Sequence, residues 1–150
     1  MFKRSILLFG ALISLASFAN SSDTDNEKSF GDYDIHYTVL NSSFISAETA
    51  KAYGIVRGKD RALINIVVRQ RLDKGASKPK KAIVSGTSSD LIHSAKLDFQ
   101  EIIEQQAVYY IAELKFNHKE LRTFTIKVQP DPNIAPYTLK FSKTLYADQE

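Results

Sequence analysis

From Tyr33 the chain alternates, with Tyr33, Ile35, Tyr37 and Val39 on one side and Asp34, His36 and Thr38 on the other. A period of two marks a half-buried strand, because successive side chains leave a strand on opposite faces. Arg61 to Arg69 carries a different pattern, the dense run Ala62-Leu63-Ile64-Asn65-Ile66-Val67-Val68, which suits a central strand covered on both faces. Ala82-Ile83-Val84 predicts a short strand followed by a turn at Gly86 to Asp90, and Leu91 to Phe99 alternates as a strand with a bend. Residues 107–116 and 120–128, joined by the polar stretch Asn117 to Glu120, form the strongest hairpin pattern. After Pro130, Pro132 and Pro136, a last strand begins with Tyr137, Leu139 and Phe141.

One segment breaks the β pattern. Ser46 is placed to cap a short helix through Ala47 to Ala52, with Glu48 near its positive end and Gly54 available for a left-handed termination. A helix of about two turns is marginal alone. Phe44, Ile45 and Tyr53 are therefore expected to hold it against the sheet. Gly58-Lys59-Asp60 predicts a turn, and Asp73 to Lys81, with Gly75, Pro79 and four lysines, a solvated loop.

Several of these strands are apolar on both faces, so a single sheet cannot cover them. The expected fold is all-β, an immunoglobulin-like β-sandwich with one short helix; a partly closed barrel is the alternative. Tyr33, Tyr37, Tyr109 and Phe124 are assigned to the core, and Tyr110, which follows Tyr109 directly, to the outside.

Ahead of the β pattern, Lys3 and Arg4 precede an apolar run from Ile6 to Leu15 and the small-x-small triplet Ser17-Phe18-Ala19. Residues 1–19 thus predict a secretory signal peptide cleaved after Ala19. The run falls short of the roughly 20 residues a membrane-spanning helix needs, so no integral membrane association is expected after cleavage. Residues 20–30 are polar and read as a flexible leader, which leaves 31–150 as a single domain. The chain has 20 Lys and Arg against 17 Asp and Glu; removing Lys3 and Arg4 lowers the formal charge from +3 to +1. A general affinity for nucleic acid loses its support at that charge. The absence of cysteine points to a bacterial periplasm rather than a disulfide-rich secreted domain.

The runs Asp32-Tyr33-Asp34-Ile35-His36-Tyr37, Ala50-Lys51-Ala52-Tyr53-Gly54-Ile55, Arg61-Ala62-Leu63-Ile64-Asn65-Ile66 and Tyr109-Tyr110-Ile111-Ala112 together resemble domain-of-unknown-function family 4426 (DUF4426), exported proteins of gamma-proteobacteria. The resemblance covers nearly the whole mature chain and implies a periplasmic protein with one β-rich domain. It brings no reaction or ligand with it, and the family's glycine-containing turn before a polar Gly-Gln pair is replaced here by Leu91-Ile92-His93-Ser94.

Candidate chemistry is sparse. His36, His93 and His118 lack the short spacing of metal ligands, so no metal and no cofactor is expected. Asp34 and His36 share a strand face and are the best visible nucleus for a divergent enzyme, yet no Gly-x-Ser-x-Gly elbow positions a nucleophile, and no catalytic residue is assigned. Asp98, Glu101 and Glu104 form an acidic cluster expected in a solvated loop, without the facing geometry that glycoside hydrolysis requires. Arg57, Lys59 and Arg61 make a basic patch expected to be exposed beside the helix, suited to an anion or an acidic partner. The expected function is that of a noncatalytic periplasmic binding or assembly module recognising a peptide or protein, with a divergent enzyme near Asp34 and His36 as the alternative.

Overall fold

The computed structural model describes residues 26–149, so the signal peptide expected over residues 1–19 lies outside it. Within these residues the strands are β1 (Glu27–Phe30), β2 (Tyr33–Asn41), β3 (Arg61–Arg71), β4 (Ser77–Pro79), β5 (Ile83–Ser89), β6 (Ser94–Leu97), β7 (Gln100–Ile103), β8 (Val108–Lys115), β9 (Glu120–Gln129) and β10 (Tyr137–Leu145). One α-helix, α1 (Ala47–Tyr53), interrupts them, with single 3-10 turns at Ser42–Phe44 and Asp73–Gly75. Two antiparallel sheets result: β1-β2-β3-β8-β7, with β4 also against β3, and β10-β9-β5-β6. The expected all-β sandwich with one short helix is the fold the chain adopts.

Between the sheets, Ile35, Ile64, Ile66 and Val68 meet Phe124, Ile126, Val128 and Leu139 in one core. Each of these eight side chains is essentially fully buried. Burying one such side chain contributes roughly 1.5–3 kcal/mol. The other face of the first sheet has its own cluster, in which Ile45, Ala50 and Ile55 cover Leu63, Val67, Tyr109 and Ile111. The helix is built as its sequence predicts: the Ser46 hydroxyl accepts from the Thr49 amide at 3.1 Å, and Gly54 ends it at φ 69°. Ile45, 1 % exposed, anchors it, whereas Phe44, expected beside it in that role, is 76 % exposed.

The chain passes between the sheets three times: from β4 to β5, from β6 to β7 and from β8 to β9. The last passage overturns the expected hairpin. β8 pairs with β3 and β7, β9 with β5 and β10, and the Asn117 to Glu120 turn is an arch between sheets. Charged groups hold that arch: Arg122 Nε lies 3.3 Å from the Glu120 carboxylate, which accepts from the Asn117 amide at 2.8 Å. Arg122 also donates to the Lys115 carbonyl at 3.2 Å, tying the end of β8 to the start of β9.

Other boundaries move for similar reasons. Gly86 lies inside β5 rather than in a turn, because a Cβ there would stand 2.7 Å from both Ile126 Cδ1 and the Thr125 carbonyl; the turn falls later, between Ser89 and Ser94. The bend expected in 91–99 is the passage from β6 to β7, at Asp98 and Phe99. Part of the expected loop 73–81 pairs as β4 along β3. Residues 27–30, expected within the flexible leader, pair as β1 instead, because the polar residues 27–29 need only β2's backbone and Phe30 stacks on Tyr137 at 5.1 Å. Tyr110, expected outside, is 3 % exposed because β8 is covered on both faces.

Candidate functional site

β1 and β2 run antiparallel, but β1 reaches back only to Glu27, opposite His36. The Tyr37 amide still finds the Asn26 carbonyl at 2.8 Å. From Thr38 to Asn41, β2 pairs with β3 on one side, and no strand among the described residues lies on the other. A groove of about 440 Å³ borders this open edge; Val39, Leu40 and Asn41 form one wall and residues 143–148 the other. Phe44, 76 % exposed, and Tyr146, 54 % exposed, stand on its rim.

Polar bonds fix the groove's second wall. Asn41 donates to the Tyr146 carbonyl and to the Asp148 carboxylate, both at 2.8 Å, and Ser43 donates to the other Asp148 oxygen. The hydrogen bond from Ser43, then that from Asn41, holds the Asp148 carboxyl below its ordinary pKa. The Asp148 amide donates to the Lys59 carbonyl at 3.0 Å. Across the groove, Lys143 Nζ donates to the Val39 carbonyl at 2.8 Å, joining the second sheet to the edge of the first. An inward-pointing lysine on the edge strand β10 also discourages pairing there. Beyond β1, the outer edge of β2 from Thr38 to Asn41 carries no strand among the described residues.

The family profile described as "Domain of unknown function (DUF4426)" matches residues 27–148, which include this groove. The chain belongs to the DUF4426 family. A solved structure of a DUF4426 family protein from Pseudomonas aeruginosa is 36 % identical, with a TM-score of 0.70 over 82 % of this chain and 95 % of that one. None of the curated proteins matches the sequence.

Within this DUF4426 domain the basic patch is divided. Arg57 is exposed and donates to the Ser43 carbonyl at 3.2 Å, while Lys59 sits in the turn whose carbonyl receives Asp148; both therefore flank the groove's Asp148 end. Arg61 opens β3 and is half-buried, its Nε enclosed without a hydrogen bond.

Asp34 and His36 do share the helix-side face of β2, beside a cavity of about 280 Å³ that also takes in Arg69 and Arg71. Each is turned to its own partner. Asp34 accepts from Ser29 at 2.6 Å and pairs with Arg71, and these contacts, Ser29's first, hold its carboxyl below the ordinary range. His36 Nδ1 lies 3.1 Å from the Glu27 carboxylate, not against a hydroxyl it could activate.

The acidic cluster does not converge. Glu101 lies on β7 and receives the Tyr110 hydroxyl at 2.9 Å, whereas Glu104, beyond β7, receives Tyr53 on the helix side at 3.2 Å. Expected as solvated loop charge, both are instead acceptors for buried or half-buried tyrosines. His93 and His118 stand apart, near Asp90 and Gln149, and no cluster of three metal-ligating side chains occurs among the described residues. No helix among them is long and apolar enough to cross a membrane.

Sequence reasoning missed the groove. Phe44, Lys143, Tyr146 and Asp148 are brought together only by the stacking of β2 over β10, so no local spacing marks them. The one available signal was an aromatic residue directly after the polar Asn41-Ser42-Ser43, where burial was the ordinary expectation.

Proposed function

We propose that this DUF4426 domain is a noncatalytic periplasmic binding or assembly module that takes an extended peptide or protein segment along the open edge of β2. The observation that carries this reading is the four-residue overhang of β2 beyond β1, bordered by an apolar groove. An added strand would gain main-chain hydrogen bonds from the edge and side-chain selectivity from the groove, the division of labour of strand addition. It would take the Val39 carbonyl from Lys143, and that ammonium, with Arg57 and Lys59 at the far end, favours a segment carrying carboxylates. Periplasmic placement follows from the signal pattern of residues 1–19.

Photo-crosslinking in the periplasm tests the proposal, with the reactive side chain placed at position 44 and, as a control, at position 125 on the far sheet. A discrete protein adduct at 44 and none at 125 is the expected result. No adduct at either position, or the same adducts at both, overturns it.

A further inference from the structure

The outward face of the second sheet carries an ordered chemistry that the groove does not use. Three of its rows across the sheet are polar and lie between the exposed Ile83 at one end and Leu121 at the other. One row is Ser85, Lys127 and Thr138; the next is Lys96, Thr87, Thr125 and Lys140; the third is Ser94, Ser89, Thr123 and Ser142. Eight of these eleven positions are Ser or Thr and three are Lys, with no carboxylate and no aromatic ring among them. The chain has 17 acidic residues to place. Of the carboxylates at the ends of these strands, Asp90 accepts from the Ile92 and His93 amides and Asp131 from Asn133, while Asp98, directly after β6, is exposed.

We infer that this face is a docking surface for a linear acidic polysaccharide. Neighbouring strands lie about 4.8 Å apart and outward residues along a strand about 6.8 Å apart, so the hydroxyls form a lattice of groups that both donate and accept. Such a lattice matches a polymer whose own surface is hydroxyl and carboxylate. Lys96 and Lys140 end the middle row, three strand spacings apart or about 14 Å, and Lys127 lies in the row beside them. Three separated ammonium groups among these eleven positions give charge complementarity to a sparsely charged chain. The missing aromatic rings argue against single-stranded nucleic acid, which binds by stacking its bases. Some hydroxyls are already oriented within the sheet: Thr123 and Ser142 are 2.8 Å apart, and Lys127 donates to Thr138 at 2.8 Å.

Retention of the whole mature domain on immobilised polygalacturonate, compared with neutral dextran and phosphatidylglycerol vesicles, tests this. The wild-type domain should bind polygalacturonate, weaken as salt is raised, and ignore dextran. The triple variant K96Q/K127Q/K140Q should lose about tenfold or more in affinity with an unchanged circular dichroism spectrum. F44S/Y146S, which alters the groove's rim, should bind polygalacturonate normally, so this inference and the peptide reading fail separately. Absence of wild-type binding, equal binding by the folded triple variant, or equal retention on the vesicles overturns the inference.

Discussion

The two sheets are covered unequally, and their strands show it. In the first, β3 and β8 are buried on both faces: Ile64 and Ile66 turn to the second sheet, Leu63 and Val67 to the helix side, and Val108 through Ala112 are buried without interruption. In the second, β9 buries Phe124, Ile126 and Val128 and leaves Thr123, Thr125 and Lys127 outward. Neighbours in a sheet share their faces. A strand buried on both sides therefore belongs beside others like it, and β8 takes β3 as its partner rather than β9, which follows it in the chain. Proximity along the sequence favoured a hairpin; the mismatch in burial pattern pointed to the arch.

This contrast can be broken most sharply with one substitution on each sheet. Ile111 sits at 5 % exposure on the helix side of the first sheet, and Ile111→Ala should destabilise the domain by about 2–5 kcal/mol. Thr125→Ala on the outward face of the second should stay within about 0.5 kcal/mol. Urea unfolding of both variants gives the comparison. Similar losses would mean that the two faces are equally covered in solution.

The same contrast explains what was legible in the sequence. Alternation placed β2 and β9, the dense run placed β3, and the Ser46 to Gly54 pattern placed the helix, because each is set by local geometry. β1 and β4 were missed because a polar strand is recognisable only from the partner it pairs with. Of the candidate site, Arg57 and Lys59 were legible as exposed charge beside a turn. Their position at one end of a groove was not, since Asp148 reaches Ser43 and Asn41 across more than a hundred residues of chain.

The passages between sheets sharpen the comparison, because polar bonds join apolar packing in fixing them. The buried Tyr110 hydroxyl accepts from the Ala82 amide at 2.8 Å, just before β5, and donates to Glu101 at 2.9 Å. Burial and then Glu101 push its pKa up to about 12, so it remains a donor at neutral pH. Tyr110→Phe keeps the ring and removes both bonds, and should cost about 1–3 kcal/mol, with faster amide exchange at Ala82. An unchanged exchange rate there would show that the bond does not hold the passage.

The smallest expected effect on global stability lies at the groove, where a single carboxylate ties residues 146–148 to the end of β2. Asp148 has its pKa lowered by Ser43 and Asn41 from the ordinary value of 3.8, so the folded state favours the ionised form. The stabilisation it gives is present above 3.8 and is lost as pH falls through the lowered folded value. From neutral pH down to about 4 the amide resonances of Tyr146, Ala147 and Asp148 should hold their positions, and below that they should move together as the tie is protonated. Asp148→Asn should show the shifted positions already at neutral pH while the core resonances of Ile64 and Phe124 stay fixed. Because the His118 ring lies 5.9 Å from that of Tyr146, the decisive comparison uses a His118→Gln background. Movement of the 146–148 resonances between pH 7 and pH 5 in that background would mean that a group other than Asp148 holds this wall of the groove.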